Sequence, residues 1–589
     1  MRWLPVRGQR SVDRGRAGRA IELRNHPFGS PTLYNGGEGS TGRRAIASDD
    51  PGPAESENQG MYTSSMHGNR EIRGSADRHP AVGPVGAGEG RTPDVYDPRK
   101  SDGDVVSMKQ TNKGAQPEQT GQPPAEFVEK RSPAKGNPVL STVTDTQRSE
   151  AASSGLDRVR EAAKRDKNLR FTNLLHHVSV ERLEGAYRAL NPKAASGVDE
   201  VTWEEYGEGL TERLVILHDR LHGGTYRARP SKRIWIPKGD GRQRPIGIAA
   251  LEDKLVQQAL VEVLQPIYEE DFLGFSYGSR PGRSQHHALD AIYVAITQRK
   301  VSWVLDADIR GFFDNLDHDW LMKFVGHRVA DPRMLRLIRK FLRAGVSEDG
   351  QWSKTVVGTP QGAVISPLLA NIYLHYVLDL WVNRWRKHRA RGEVYIVRYC
   401  DDFVMGFQYQ SDARLFRIEL AERLAGFGLE LHPDKTRLIE FGRFAASNRK
   451  ERGEGKPETF DFLGFTHICA RKRKDGSFAL RRKTIGKRLR EKIQKVRTIL
   501  NRNRHRTVAE QGRWLRRVVQ GHVNYYGVPG NRQALDAFRT QIGHAWLHAL
   551  RRRSQKGRSL TWQRMQIWME KWIPRARVRH PYPNQRLCV

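Results

Sequence analysis

Hydrophobic and polar positions divide the chain into a segment without periodicity and a longer segment with clear periodicity. Residues 1–155 are dense in Gly, Ser, Pro and Arg and show neither a two-residue nor a 3.6-residue apolar repeat. Such a segment cannot bury enough apolar surface to offset the conformational entropy lost on ordering. We therefore predict a disordered extension over residues 1–155, with ordered structure beginning near Leu156.

The next part of the chain predicts helices around one hairpin. Apolar residues recur at helical spacing over 156–190, and a second helical pattern over 203–222 ends at the Gly223-Gly224 pair. Alternating isoleucines over 232–248, around a Gly-Asp-Gly turn, predict a β-hairpin. A long helical pattern follows over 251–270. This order predicts a helical segment that leads into a small sheet.

From about residue 301 the chain alternates between strands and helices. Residues 301–309 read VSWVLDADI, and residues 393–407 read EVYIVRYCDDFVMGF, which is two β-rich runs joined at Cys400-Asp401-Asp402. Helical patterns lie between and after these runs. The arrangement predicts an α+β layer built on an antiparallel sheet.

The charge of the chain predicts the kind of partner that it binds. The 589 residues include 101 Lys and Arg against 66 Asp and Glu, for a net charge of +35. Residues 481–589 alone hold 28 Lys and Arg against 4 Asp and Glu, a net charge of about +24. A surplus of this size on helical segments predicts an extended polyanion as partner, with nucleic acid favoured over an acidic membrane surface.

Several classes of protein are excluded by composition. Three cysteines provide neither a disulfide framework nor a four-cysteine zinc module. No run of apolar residues approaches 18, so we expect no transmembrane span and no membrane partner. The first residues contain no apolar core of a secretory signal, and their Gly and Pro content disfavours an organellar transit peptide. We expect a cytoplasmic protein associated with RNA or the nucleoid.

Two acidic motifs at strand ends carry the candidate chemistry. Asp308 ends the first β-rich run, and Asp401-Asp402 lie at the tip of the later hairpin. Carboxylates brought together from two strands can bind two divalent hard cations and leave open positions for phosphate. The alternative is ordinary, because paired acids in hairpin turns usually face solvent. The Asp-Asp pair alone therefore does not decide the function.

Seven segments in a fixed order resolve that ambiguity. They are RPIGI (244–248), GFSYGSRPGRS (274–284), DIRGFFDNLDH (308–318), GTPQGAVISPLLANIYL (358–374), YCDDF (399–403), HPDKT (432–436) and FDFLGF (460–465). With these segments the chain resembles the reverse transcriptases encoded by group II introns, also called intron maturases, over roughly residues 165–575. Cys400 stands where that family usually places a small residue, which indicates no redox or metal-binding role.

The resemblance implies a catalytic triad and a sugar gate. Asp308, Asp401 and Asp402 correspond to the residues that bind two Mg²⁺ ions, with Mn²⁺ as a possible substitute. Phe313 corresponds to the aromatic residue that excludes a 2′-hydroxyl by steric overlap. The alternative for Phe313, and for the neighbouring Phe312, is a place in the hydrophobic core.

The resemblance also implies contacts with the incoming nucleotide. Gln361 would contact the nucleotide or the template. Arg242 and Arg244 on the hairpin would hold the triphosphate as bidentate donors, the alternative being a solvated basic turn. Lys435 would pair with the pyrophosphate leaving group or protonate it, the alternative being a surface lysine.

Two further sets of residues are expected to face nucleic acid. Tyr277 and Arg280 are expected to face the template backbone. The basic helices near the C-terminus correspond in position to the maturase domain of the family and carry candidate RNA-binding residues, namely Arg513, Arg516, Arg517, Tyr525 and Tyr526. The alternative for the tryptophans of this region is the core of a helix bundle. The HNH endonuclease of many relatives is expected to be absent.

The expected protein is an α+β, right-hand polymerase with fingers, an antiparallel-sheet palm and a helical thumb. Its expected parts are the disordered extension (1–155), an N-terminal helical extension (156–217), fingers and palm (218–467), and a basic thumb or maturase domain (475–580).

The expected function is RNA-directed DNA synthesis combined with binding of the parent intron RNA for splicing and mobility. Expected partners are group II intron RNA, a DNA target or primer and deoxynucleoside triphosphates, with homodimerisation left open. Two alternatives remain. One is a non-enzymatic RNA-binding splicing cofactor on a polymerase scaffold, and the other is the reverse transcriptase of a different retroelement.

Overall fold

The computed structural model describes residues 146–237, 243–348, 350–355 and 357–586, with side chains from Gly155 onward. Most of the predicted extension, residues 1–145, lies outside the described residues, as do the hairpin turn and Arg242. The first helix begins at Thr146, ten residues before the predicted start of order.

The N-terminal half is mostly helical, with one small sheet and the first strand of a second. Its helices are α1 (Thr146–Arg165), α2 (Val180–Ala189), α3 (Trp203–Gly207), α4 (Leu210–His222), α5 (Leu251–Asp271), α6 (Gln285–Gln298), α7 (His318–Gly326) and α8 (Pro332–Arg343). Its strands are β1 (Ser231–Pro237), β2 (Gln243–Ile248), β3 (Trp303–Ala307), β4 (Val346–Glu348) and β5 (Gln351–Ser353).

The C-terminal half completes the second sheet and ends in a helical bundle. Its helices are α9 (Ser366–Leu374), α10 (Leu380–His388), α11 (Gln410–Ala425), α12 (Ala445–Glu451), α13 (Gly486–Arg502), α14 (Val508–Tyr526), α15 (Arg532–Arg551), α16 (Gln555–Arg558), α17 (Trp562–Trp572) and α18 (Pro583–Arg586). Its strands are β6 (Val394–Tyr399), β7 (Asp402–Phe407), β8 (Arg437–Glu440), β9 (Phe460–Phe462), β10 (Phe465–Arg471) and β11 (Phe478–Thr484). A π-helical turn at His375–Asp379 joins α9 to α10.

The single helix predicted over 203–222 is wrong, because the chain forms two. Thr202 begins α3 with a capping box, in which its hydroxyl accepts from the Glu205 amide and the Glu205 carboxylate accepts from the Thr202 amide. Gly209 then adopts a left-handed backbone conformation (φ 68°), which interrupts the helix before α4 begins. The apolar spacing survives this break, so periodicity alone could not reveal it.

The predicted hairpin is confirmed in its two strands. β1 and β2 pair antiparallel, with Ile234 opposite Ile246 and Ile236 opposite Arg244. They form a four-stranded sheet in the order β2-β1-β4-β5.

The predicted antiparallel sheet is also confirmed, in the order β6-β7-β3-β8. Its strands are covered on both faces. Val304 and Val404 pack with α6 on one side, whereas Leu305 and Met405 pack into the main core on the other. Two buried faces explain why these strands read as continuous apolar runs instead of alternating ones.

The basic C-terminal helices enclose a core of their own. Trp546 is fully buried there, and Trp514 and Trp562 pack against the same cluster. A three-stranded sheet, in the order β11-β10-β9, lies between this bundle and the central sheet in the sequence. In the part of the chain that the structure describes, no helix is long and apolar enough to cross a membrane.

Asp331 joins the N-terminal helices to α8 through one buried carboxylate. Its Oδ2 accepts from the Leu174 and Leu175 amides at 2.8 and 2.9 Å, and its Oδ1 accepts from the Arg333 and Met334 amides at 2.9 and 3.3 Å. Although desolvation acts in the opposite direction, these four donors lower the pKa of Asp331. The carboxylate therefore satisfies the backbone amides of two chain segments at once.

We expect Asp331→Asn to lower the free energy of unfolding at pH 7 by about 2 kcal/mol, because the Asn amide group can accept at only one end. A lowered pKa stabilises the fold above the unfolded-state value of about 4, and this contribution is lost as the pH falls through the folded-state pKa. Urea titrations from pH 7 to pH 3 should therefore show the difference shrinking below about pH 4.

The matched control is Asp317→Asn. Asp317 caps α7 through Oδ1 alone, by accepting from the Asp319 and Trp320 amides. Asn can do the same, so we expect a change within about 0.5 kcal/mol. A pH-independent difference at Asp331 would contradict the role assigned to its charge.

Candidate active site

The register of the central sheet brings the predicted carboxylates to one edge. β3 and β7 pair antiparallel, with Ala307 opposite Phe403. Asp308 follows Ala307, and Asp402 precedes Phe403, so the two carboxylates leave the sheet side by side. Asp401 occupies the turn just before β7.

Backbone strain and a close approach shape this turn. Cys400 has a left-handed backbone (φ 57°), which is uncommon for a residue with a side chain. Gly278 lies directly against it, and a Cβ at Gly278 would be 2.3 Å from the Cys400 nitrogen. The GFSYGS segment therefore packs directly against the turn. Only glycine at position 278 leaves room for this contact.

A buried arginine fixes the turn to its surroundings. Arg398 is completely buried and forms a bidentate ion pair with Asp379, with an Nε–Oδ1 distance of 2.7 Å. The same guanidinium donates to Asn371 Oδ1 at 2.9 Å, to Ser276 Oγ at 2.7 Å and to the Cys400 carbonyl at 3.0 Å. One side chain thus ties three residues from other parts of the chain to the backbone that carries Asp401 and Asp402.

The sequence reasoning missed Arg398 and its partners. Asp379 lies in the π-helical turn after α9, a local widening of the helix that is frequent at functional sites. Asn371, on α9, also donates to the Gly278 carbonyl at 2.8 Å. The available signal was a charged residue in the middle of the apolar run VYIVRY, since a charge is rarely buried unless it is paired.

The carboxylates repel one another. Desolvation and the nearby charges of Asp401 and Asp308 raise the pKa of Asp402 to about 6, although Arg488 opposes the shift. Desolvation and Asp308 raise the pKa of Asp401, which Arg244 and Arg398 oppose. A cluster of negative charge that is only partly compensated is suited to divalent cations.

The three carboxylates are not arranged as a preformed metal cage. Among the described residues, no group of three or more His, Cys, Asp or Glu side chains is arranged to hold a metal ion. The Lys435 ammonium instead forms an ion pair with Asp308. The donor chemistry nevertheless fits hard divalent cations, because all three side chains are carboxylates and a cation already occupies one of them.

Phe313 and Gln361, which are predicted to contact the nucleotide, are both partly exposed. Phe312 is buried in the core, whereas Phe313 is only half-buried. The loop of Gln361 lies against β2, since the Gly247 amide donates to the Gln361 carbonyl at 2.7 Å. Gly362 (φ 112°) allows this approach, because a Cβ there would be 2.7 Å from the Gly247 oxygen.

The three basic residues predicted to contact the nucleotide differ in their surroundings. Arg244 on β2 is exposed and lies close enough to Asp401 to lower the pKa of that carboxyl. The Lys435 side chain is half-exposed and forms an ion pair with Asp308, so it lies at the carboxylate edge, and its role toward the pyrophosphate stays a prediction. Arg242 lies outside the described residues.

The residues of α14 predicted to bind RNA differ in their exposure. Arg513, Arg516 and Arg517 are exposed on α14. Tyr525 and Tyr526 are half-buried, and the Tyr525 hydroxyl donates to the Leu463 carbonyl at 2.8 Å, so these rings also attach α14 to the FDFLGF segment.

The expectation that Tyr277 and Arg280 face the template is wrong. Both side chains are buried, and Arg280 pairs with Glu269 at 3.0 Å beneath the surface. Buried charges require such a partner, and the sequence does not show which residue supplies it.

Comparison with known proteins gives this carboxylate edge its class. Residues 236–467, which include all three aspartates, match the family described as reverse transcriptase (RNA-dependent DNA polymerase). The chain is 36% identical to Protein YkfC of Escherichia coli in an alignment of 309 residues that covers 46% of this chain and 81% of that protein. The central sheet and its aspartates are thus those of a reverse transcriptase domain.

Other relatives narrow the class to one family. Identity is 40% over 203 residues with the group II intron-encoded protein LtrA of Lactococcus lactis, covering 33% of each chain. Identity is 24% over 208 residues with the mitochondrial nuclear intron maturase 3 of Arabidopsis thaliana, covering 31% of this chain and 28% of that protein. The chain belongs to the group II intron-encoded reverse transcriptase and maturase family. It spans only about a third of the length of these two intron-related proteins.

We expect Asp379→Ala to lower the free energy of unfolding by about 3–5 kcal/mol, because it leaves the Arg398 guanidinium buried without its counter-charge. Urea unfolding followed by circular dichroism measures the change. The control is Glu430→Ala, which removes an ion pair with Arg310 whose side chains are both 62% exposed. That change should be below about 1 kcal/mol. Equal effects of the two substitutions would contradict the role of the buried pair.

Proposed function

We propose that this protein is an RNA-directed DNA polymerase of a group II intron that also binds its intron RNA to assist splicing and mobility. The observation that carries the proposal is the set of three carboxylates at the ends of adjacent antiparallel strands, within residues that match a reverse transcriptase. The reaction class is nucleotidyl transfer from a deoxynucleoside triphosphate to a primer end.

The proposed architecture is a right hand. The hairpin sheet and the central sheet form the fingers and palm over 218–467, and the basic bundle over 475–580 forms the thumb. Residues 156–217 form an N-terminal helical extension. The exposure of Arg244 near Asp401 supports this arrangement, because fingers that fold over the palm bring a cation to the nucleotide phosphates.

Asp308, Asp401 and Asp402 would hold two Mg²⁺ ions, or Mn²⁺ as a substitute, which when bound lower the pKa of the primer 3′-hydroxyl and neutralise the triphosphate. Arg244 and Arg242 hold the triphosphate through paired donors. Lys435 releases Asp308 and pairs with the pyrophosphate. Gln361 contacts the nucleotide or template, and Phe313 lies under the sugar.

The alternative function is a splicing cofactor without polymerase activity. A relative whose name is that of an intron maturase supports RNA-linked roles for the family. The retention of all three carboxylates in one mutually repelling cluster favours the enzyme, because charge repulsion of this kind lowers stability without an evident structural benefit.

We expect Asp401→Ala to abolish extension of a DNA primer on an RNA template, because the substitution removes one of the ligands for the proposed ions. Single-nucleotide incorporation with Mg²⁺ measures the loss. Asp319→Ala removes an exposed carboxylate from α7 and should leave the rate unchanged. Splicing of the intron RNA by Asp401→Ala at the wild-type level would assign the maturase role separately. Retained primer extension would contradict the proposed catalytic role.

We expect Phe313→Val to raise ribonucleotide incorporation relative to deoxyribonucleotide incorporation by about tenfold or more, because the smaller side chain leaves room for a 2′-hydroxyl. The ratio of kcat/KM for the two nucleotides measures this effect. Phe312→Leu, in the core, should lower stability without changing the ratio. A changed ratio only in Phe312→Leu would reverse the assignment of the two rings.

A further inference from the structure

A cavity of about 540 Å³ opens between α13 and α14 in the basic bundle. Ile499 and Leu500 on α13 and Trp514 on α14 form its apolar part. Trp514 also packs against the core of the bundle, which holds its ring in place. The volume falls within the range of clefts and cavities that bind small ligands.

The rim of this cavity is strongly cationic. Arg506, Arg513, Arg516 and Arg517 all line it and are all exposed. Within the described residues, none of these guanidiniums forms a hydrogen bond or ion pair with a side chain. Four arginines around one cavity repel one another, so the arrangement is suited to an anionic ligand.

Glu510 is the one acidic residue that lines the cavity, and its carboxylate takes part in the N-terminal cap of α14. Its carboxylate accepts from the Thr507 amide and hydroxyl in the capping box that begins α14, and those hydrogen bonds lower its pKa. Arg506 and Arg513 also contribute to that lowering, so the single charge of Glu510 compensates only part of the charge of the four arginines.

The wall of the cavity is ordered before any ligand binds. The Gln511 side-chain amide donates to the carbonyls of Asn503, Arg504 and Arg506, and its oxygen accepts from Trp546 Nε1 at 2.8 Å. This side chain closes the connection between α13 and α14 and ties it to the bundle core. A wall held in this way loses little conformational freedom on binding.

We propose that this cavity binds a single unstacked nucleobase of structured RNA, with the base on Trp514 and the flanking phosphates on the rim arginines. The proposal rests on the RNA-binding function proposed above and specifies where one nucleotide is recognised. An aromatic ring beside several arginines is the combination that binds bases and phosphates together. A paired base cannot enter a cavity between helices, whereas bulges and loops present unstacked bases.

The cavity lies apart from the proposed catalytic edge. Arg517 also lines a second cavity of about 420 Å³, together with Arg488, Lys492 and Tyr525. Arg488 is close enough to Asp402 to lower its pKa, and it lines the second cavity but not the first. The base-binding cavity is thus a separate subsite, which shares Arg517 with the second cavity.

The test compares two hairpin RNAs that differ only in a bulge. One carries a single bulged uridine, and the other carries an abasic nucleotide at that position. We expect the full-length protein to bind the uridine RNA about tenfold more tightly, because the lost stacking partner is the sole difference between them. Trp514→Leu should bind the two RNAs equally, and since each comparison uses one protein, a change in overall stability does not affect it.

Two further measurements locate the contact. A bulged 5-iodouridine should form a photo-crosslink within residues 499–517, and mass spectrometry of the crosslinked peptide identifies the position. Arg513→Gln should weaken binding of both RNAs and reduce the slope of log affinity against log salt by about one. Arg564→Gln removes an exposed arginine of α17 that does not line the cavity, and should change the affinity by less than about twofold.

The outcomes separate this inference from the function on which it rests. Equal affinity of the wild-type protein for the two RNAs, or a crosslink only outside residues 499–517, would contradict base binding in the cavity. Either result would leave RNA binding by the protein intact. Failure of the wild-type protein to bind either RNA at low salt would contradict the RNA-binding function itself, and the inference with it.

Discussion

The buried ion pair between Arg398 and Asp379 is the interaction on which the carboxylate edge depends. It lies next to the turn that carries Asp401 and Asp402. The Arg398 guanidinium also donates hydrogen bonds directly to Asn371, Ser276 and the Cys400 carbonyl. A buried charge is tolerated only when its partners satisfy it fully, so the segments that supply those partners must all be in place. The turn is therefore held in position by the whole fold around it.

Charge of opposite sign is concentrated in two separate regions. The central sheet brings together acids that raise one another's pKa, while the C-terminal bundle exposes arginines that have few acidic neighbours. Both arrangements oppose folding, because like charges repel within each region. Each becomes favourable when a ligand of opposite charge binds, divalent cations in one case and nucleic acid in the other. The net charge of +35 covers the whole chain and does not reveal these two opposite requirements.

Several elements could be predicted because they depend on local pattern. The hairpin of β1 and β2, the helix α5 and the antiparallel strands around Asp308 and Asp402 follow from apolar spacing and turn residues. The break at Gly209 did not follow, because a left-handed residue leaves the periodicity on either side intact. The burial of Arg280 did not follow either, because Glu269 becomes its partner only after α5 and the GFSYGS segment pack together.

The sequence by itself determined the identity and order of the motifs, and with them the family and the three candidate carboxylates. The tertiary structure alone decided which groups surround those carboxylates: Lys435 on Asp308, Arg244 and Arg398 near Asp401, and Arg488 near Asp402. Residue type and spacing are properties of the chain and can be read along it. Electrostatic environment depends on distances between residues far apart in sequence, and packing sets those distances.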